Sequence, residues 1–338
     1  MTELLIRAVD YHTAGEPFRI LTDPLELPGR TVAERRQHAI GDPEINRLRQ
    51  LLCYEPRGHA DMYGGFITPP DDDGAHFGVL FWHKDGFSTA CGHGTIALGV
   101  WAVQTGRVAR SGAGPTEVVI DVPSGRVIAR VHSAGPRVTA VDFVNVPSYA
   151  TAIDVEVPTS AGPVAATVAF GGAFYAIVDA GGLGLRVTPD HLPRLISLGR
   201  EIRRSLDDSP HVRHSSDPGL SGLYGTIFCE DLGPSADGSL LQRNVTIFAD
   251  GEVDRSPCGS GTCARLAALH ATGAISAGQV LIHESIVGSR FQGRVLGTVT
   301  AGPRPAVLPQ VTGTAHKTAE HTFVVEPDDD LVPGFVLR

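Results

Sequence analysis

Two of the five cysteines, Cys91 and Cys258, sit in one local pattern, Cys-Gly-x-Gly-Thr. The first copy reads Ser88-Thr-Ala-Cys91-Gly-His-Gly-Thr95, the second Asp254-Arg-Ser-Pro-Cys258-Gly-Ser-Gly-Thr262. Each opens an Ala/Leu-rich segment that stops at a Thr-Gly pair, fifteen residues on in both (91 to 106, 258 to 273). A helix start exposes N–H groups with no acceptor inside the helix, together with the positive end of the helix dipole. A cysteine placed there is expected to have its thiolate stabilised and its pKa drawn towards neutrality. Gly92, Gly94, Gly259 and Gly261 leave room for an anionic ligand against the backbone. Each copy therefore offers a sulfur beside an anion cradle. Two of them suit inversion at an α-carbon: one thiolate removes the proton, the other thiol returns one to the opposite face, and fixed N–H donors hold the carboxylate.

Other readings of these residues are open to the same scrutiny. Cys53, Cys229 and Cys263 lack the glycine-flanked context and read as small buried apolar side chains. Cys258 and Cys263 have no His/Cys cluster around them of the kind a zinc site needs. His93 could serve as the base of a Cys–His hydrolase. Residues two apart at a helix start are expected not to face each other, and Ser260 holds the corresponding place in the second copy, so His93 reads mainly as a backbone donor. A redox role would require a reversible Cys91–Cys258 disulfide. A binding protein without turnover would leave the thiols chemically idle.

Strands are expected over Leu4 to Val9, Gly78 to Trp82, Glu117 to Val122, Val127 to Val131, Val164 to Phe170, Ala176 to Asp179 and Val245 to Phe248, from apolar runs or alternation. Helices are expected over Thr31 to Leu52 and Asp190 to Ser205, the latter with Thr188 as N-cap and Pro189 in its first position. The remaining two helices follow the cysteines, Gly92 to Thr105 and Gly259 to Thr272. Strand, polar turn, Cys-Gly-x-Gly-Thr and helix, used twice, predict two structurally similar halves.

The 338 residues, 42% apolar and 19% charged, belong to a folded protein of about two domains. Forty glycines and 24 prolines favour a strand-rich fold. Net charge is −9 with scattered arginines, which argues against nucleic acid as a partner. No apolar run suits a membrane span, and Met1 to Val9 lacks a signal-peptide core, so a cytoplasmic location is expected. Lys84 and Lys317 are the only lysines, and neither lies in a phosphate-cradling context of the sort pyridoxal phosphate needs.

Beyond these patterns, the sequence resembles the proline racemase family, which includes hydroxyproline 2-epimerases and trans-3-hydroxy-L-proline dehydratases. The resemblance runs through Asp10-Tyr-His-Thr-Ala-Gly-Glu-Pro-Phe-Arg19, Glu55-Pro-Arg-Gly-His-Ala-Asp-Met-Tyr-Gly64, Cys91-Gly-His-Gly94, Phe170-Gly-Gly-Ala-Phe-Tyr175, Asp254-Arg-Ser-Pro-Cys-Gly-Ser-Gly261, Glu284-Ser-Ile-Val-Gly-Ser289 and Phe291-Gln-Gly-Arg294. It implies an α/β (α+β), diaminopimelate-epimerase-like fold of two pseudo-symmetric halves, each a curled, mostly antiparallel sheet around a central helix. The expected division is 1–148 plus 322–338, carrying Cys91, and 149–321, carrying Cys258. It also implies that Cys91 and Cys258 are the acid/base pair, with no cofactor and no metal. The N–H groups of Gly92, His93, Gly259 and Ser260 would bind the substrate carboxylate. Asp254 would receive the ring ammonium, helped by polar groups around His59. A homodimer is compatible with the family. Diaminopimelate epimerase itself carries Asn where His93 stands.

Within the family, the two thiols favour racemase or epimerase, because the dehydratase branch typically replaces one of them by threonine or serine. The blocks around Tyr63, Tyr175 and Asp254 nevertheless look close to the dehydratase branch. Proline racemases tend to have Phe at the Tyr63 position, where a phenol could meet a ring hydroxyl; Phe248 matches an apolar wall common to both branches. The sequence is thus read as a racemase or epimerase of proline or a hydroxyproline, proline racemase first and hydroxyproline 2-epimerase next, with trans-3-hydroxy-L-proline dehydratase as the alternative.

Overall fold

All seven apolar runs read as strands from the sequence lie within strands of the computed structural model, which describes residues 4–23 and 25–337. In chain order come β1 (Leu4–Thr13), β2 (Glu16–Leu21), α1 (Val32–Gly41), α2 (Pro43–Cys53), β3 (Tyr63–Thr68), β4 (Phe77–His83), β5 (Gly86–Phe87), α3 (Gly92–Gln104), β6 (Thr116–Val122), β7 (Gly125–Ala134) and β8 (Arg137–Val144). Next are β9 (Tyr149–Thr159), β10 (Gly162–Phe170), β11 (Phe174–Asp179), α4 (Leu192–Leu206), β12 (Leu223–Pro234), β13 (Leu240–Phe248) and β14 (Glu252–Asp254). The chain closes with α5 (Gly259–Ala271), β15 (Val280–Ser285), β16 (Arg290–Ala301), β17 (Arg304–Gly313) and β18 (Ala315–Val325). No helix among the described residues is long and apolar enough to cross a membrane.

The chain divides into one unit that ends at Thr139 and resumes at Thr314, and a second that spans Ala140–Gly313. These borders precede the expected 148/149 and 321/322: β8 pairs with β17 from Val141↔Gly313 to Val144↔Gln310, and β18 pairs with β1 from Ala315↔Thr13 to Val325↔Leu4. The tail returns further: Phe335 bridges Glu55, and Asp329 meets Arg57 at 2.8 Å. Arg338 lies outside the described residues.

In the first unit the strands run β18–β1–β2–β3–β4–β6–β7, with β2/β3 and β4/β6 parallel and the other neighbours antiparallel. In the second they run β9–β10–β11–β12–β13–β15–β16, with β11/β12 and β13/β15 parallel and the rest antiparallel. The two successions of direction are identical. Each also carries a short strand, β5 on β4 and β14 on β13, directly before its cysteine. The second sheet continues through β17 to β8. Each sheet curls round a mostly buried helix, α3 against β1, β2, β7 and β18, and α5 against β9, β10, β16 and β17, with Arg265 and His270 of α5 partly exposed. The repeat legible in the sequence is therefore a repeat of topology.

Two local expectations are corrected. The helix expected from Thr31 to Leu52 is two helices. Asp42 breaks it in extended conformation, giving its N–H to Ala39 O at 3.4 Å while its carboxylate accepts from Glu44 N (2.9 Å) and Ile45 N (3.2 Å). Pro43, which cannot donate and restricts the residue before it, fixes the break. Thr188 caps a short 3₁₀ turn over Pro189–His191 without a side-chain hydrogen bond, and α4 starts only at Leu192.

Candidate active site

Cys91 is the N-cap of α3. Its extended backbone (φ −153°, ψ 104°) turns the side chain over the first turn, and its sulfur accepts the Gly94 N–H at 3.2 Å. Its carbonyl takes the Thr95 N–H (3.0 Å) and hydroxyl (2.8 Å). A Cβ on Gly94 would lie 2.8 Å from that sulfur and 2.4 Å from a ring carbon of Phe18, so the second glycine of the motif is dictated by packing against the thiol. The His93 ring was expected to face away. Instead its Nδ1 lies 3.4 Å and its Nε2 3.6 Å from the Cys91 sulfur. Spacing rules for helix interiors do not hold for an N-cap, whose side chain reaches back across N1 to N3.

Cys258 caps α5 in the same way, its sulfur accepting the Gly261 N–H at 3.3 Å. Its backbone differs. At φ 62° and ψ 108° it occupies a region that non-glycine residues avoid at a cost of about 1–3 kcal/mol, the kind of strain that collects at functional sites. Burial pushes its thiol well above the usual range, and the Asp254 carboxylate adds to this, against the opposing Gly261 N–H and Thr246 hydroxyl. The expected fall towards neutrality is reversed here. The helix terminus acts on a group removed from water, and desolvation is the larger effect.

Asp254, 4% exposed, is aimed by Ser256, whose N–H and hydroxyl both donate to one carboxylate oxygen at 2.8 Å. The Ser256 hydroxyl in turn accepts the Cys258 N–H at 3.1 Å, which ties carboxylate and thiol into one turn. Burial raises the Asp254 carboxyl to about 6 despite the two Ser256 donors. A carboxylate in that position is suited to a cationic partner.

Aromatic rings line the strands beside each cysteine. In the first unit Phe18 on β2, Tyr63 on β3 and His83 on β4 form a run: Phe18 stacks on Tyr63 at 6.4 Å, Tyr63 lies 5.5 Å from His83, and His93 is edge-on to Tyr63 at 5.0 Å. The Tyr63 hydroxyl bonds Ser88. In the second unit the equivalent strands bear Tyr175 on β11, Tyr224 on β12 and Phe248 on β13, with Tyr224 edge-on to Tyr175 at 5.7 Å and stacked on Phe248 at 5.6 Å. Tyr63 and Phe248, both read from the sequence, thus lie in equivalent rows. His59 lies in an exposed turn, its Nδ1 accepting the Asp61 N–H, outside either row. Sequence reasoning missed Tyr175, Thr246 and Ser256. Tyr175 closed one of the blocks that carry the family resemblance, and Ser256 stands between the candidate aspartate and the cysteine, but neither was given a role.

First-turn N–H groups of Gly92 and His93, like those of Gly259 and Ser260, have no acceptor within their own helices. Each unit therefore combines a buried sulfur, N–H donors and an aromatic row. The family described as proline racemase matches residues 8–336. The chain belongs to the proline racemase family. It is 44% identical over 330 residues to a trans-3-hydroxy-L-proline dehydratase of Bacillus cereus, covering 97% of each chain. It is 43% identical over 339 residues to a 3-hydroxyproline 2-epimerase of Burkholderia multivorans, covering 98% of each. Among solved structures, a hydroxyproline epimerase from Agrobacterium vitis with bound trans-4-hydroxy-L-proline superposes with a TM-score of 0.91 at 30% identity, covering 98% of this chain and 96% of that one. The fold is the mixed α+β fold of the proline racemases, and the chain is an enzyme of a family acting on proline-type amino acids.

Proposed function

We propose that the protein inverts the Cα centre of a 3-hydroxyproline, without a cofactor, by two-thiol acid/base catalysis. The observation that carries this is the pair of cysteine N-caps: each of two topologically identical units holds a sulfur against its own first-turn N–H groups. Inversion needs one group to take the Cα proton and another to supply a proton on the opposite face. Cys258, kept protonated by burial and by Asp254, suits the donor, and Cys91 beside His93 suits the acceptor. The roles exchange in the reverse reaction. The N–H groups of Gly92, His93, Gly259 and Ser260 would hold the carboxylate as charge builds on it, and Asp254 would receive the ring ammonium. Tyr63 and Phe248 would line the ring. The change of preference from proline to a 3-hydroxyproline rests on the names of the two 43–44% identical relatives.

A second reading, loss of water from the same substrate, is favoured by the dehydratase name of the Bacillus cereus relative. It needs no proton return, so it gives Cys258 less to do. Incubation with trans-3-hydroxy-L-proline in deuterated water separates the readings. Epimerisation yields the cis-3-hydroxy-D epimer with deuterium at Cα; elimination yields a cyclic imine that borohydride reduces. trans-4-Hydroxy-L-proline and L-proline serve as comparison substrates. Faster α-proton exchange with either would overturn the 3-hydroxyproline assignment.

A further inference from the structure

Each cysteine of a two-thiol racemase must be stable both as thiol and as thiolate, since it gives a proton in one direction and takes one in the other. Groups that only donate or only accept favour one state. The Cys258 sulfur has a neighbour that can do both. The Tyr175 hydroxyl lies 3.9 Å from that sulfur, within reach of a thiol S–H, and 2.7 Å from Ser260 Oγ. The phenol is wholly buried, and Ser260 and Cys258 are 3% and 6% exposed, so bulk water cannot substitute for these contacts. On the equivalent strand of the other unit, β2 presents Phe18, which has no hydroxyl, and there the sulfur is accompanied by the His93 ring.

We infer that Tyr175 and Ser260 form a reversible hydrogen-bond pair that follows the proton of Cys258, making Tyr175 a positioning residue for that thiol. When sulfur carries its proton, S–H donates to the phenol oxygen and the phenol O–H donates to Ser260 Oγ. When the proton has gone to substrate, the phenol O–H rotates to donate to the thiolate and accepts the Ser260 O–H in return. No proton changes owner in this pair; only the direction of donation reverses. Two hydroxyls can do this because each is donor and acceptor at once. The Gly261 N–H can only donate and so favours the thiolate, and the Asp254 carboxylate, whose ionisation Arg255 promotes, can only accept and so favours the thiol; the Thr246 hydroxyl adds to the thiolate side.

The inference deepens the two-thiol reading and rests on it for its meaning, yet its test needs no substrate. Carboxamidomethylation of Cys258 by iodoacetamide is followed across pH by mass spectrometry of the Cys258 peptide, with the Cys91 peptide as internal reference. In Tyr175→Phe the thiolate loses a donor, so the midpoint for Cys258 moves up by about one pH unit while that of Cys91 stays. In Ser260→Ala the phenol keeps its hydroxyl but loses its alternative acceptor, so it donates to sulfur in both states and the midpoint moves down. Opposite shifts are the signature. Midpoints that move together, or do not move in variants that melt like the parent, overturn the inference. Turnover adds a second reading: Tyr175→Phe is expected to lower kcat by about tenfold with KM nearly unchanged. If the parent exchanges no α-proton at all, the proposed reaction fails while the midpoint shifts still decide the hydrogen-bond pair.

Discussion

The Cys258 sulfur accepts the Gly261 N–H at 3.3 Å, and a Cβ at Gly261 would lie only 2.8 Å from that sulfur. The same 2.8 Å separates the Cys91 sulfur from a Cβ at Gly94. The contact that aims each thiol is thus the one that forbids a side chain three residues on. Gly261→Ala has to move the sulfur or the first turn of α5. Displacement of a reacting group by about 1 Å commonly costs on the order of 100-fold. A fall in kcat of that size, with an unchanged melting temperature, is expected for Gly261→Ala. Gly94→Ala should be worse, since its Cβ also meets Phe18 at 2.4 Å. Parent-like turnover in Gly261→Ala would show that the sulfur position is not critical.

Replacement of either thiol by a hydroxyl tests the pairing itself. Cys91→Ser and Cys258→Ser should each abolish inversion from both epimers, by about 10³-fold or more, because each sulfur is needed in both directions. Optical rotation and Cα deuterium report this directly. Cys258→Ser that retains formation of a cyclic imine while losing inversion would move the enzyme to the lyase reading.

Arg19 belongs to one of the sequence blocks that carried the family resemblance, and its surroundings are structural. Its guanidinium forks onto Asp10 at 2.9 and 2.8 Å, donates to Leu52 O and Arg57 O at 2.7 Å each, and lies 4.5 Å from the centre of the Phe323 ring. Those contacts join β1, β2, the end of α2 and β18. A lysine keeps the charge but cannot reproduce the fork. Arg19→Lys is expected to destabilise by about 2–4 kcal/mol in urea titrations while leaving KM near the parent value. A large KM effect with unchanged stability would assign Arg19 to the substrate instead.

What the sequence made legible follows from what it encodes locally. The cysteine motif, its glycines and the two enclosed helices are short-range features, and the periodicity of β1, β4, β6, β7, β10, β11 and β13 comes from burial on one or both faces. β18 was missed because Ala315–Val325 is an exposed strand rich in His, Lys, Thr and Glu, whose membership of the sheet is decided by pairing with β1, more than 300 residues away. β3 was missed because two glycines interrupt it; at Gly64 a Cβ would strike Trp82 at 2.2 Å, a demand visible only in three dimensions. The site divides likewise. Cys258 and Asp254 stood out by neighbourhood, whereas Tyr175 reaches Ser260 across 85 residues of chain. The pKa of Cys258 was misjudged because a motif reveals the helix start but not how much water burial removes.

Asp254 supplies the sharpest pH test. Burial holds its carboxyl at about 6, above its ordinary 3.8, so the folded protein favours the protonated form. Its stabilising contribution is therefore full below pH about 4 and is lost as pH rises to about 6. Receiving an ammonium requires the opposite state, the carboxylate. If Asp254 binds the ring nitrogen, kcat/KM should rise with pH through about 6, independently of any limb set by the thiols. Asp254→Asn removes the charge but keeps the shape: KM should rise about 10- to 100-fold, as expected for loss of a charge-assisted hydrogen bond. That limb near pH 6 should vanish from the variant's profile, while its stability at pH 7 equals or exceeds the parent's because no buried charge remains. A variant that keeps the pH 6 limb would assign it to another group and free Asp254 from the substrate.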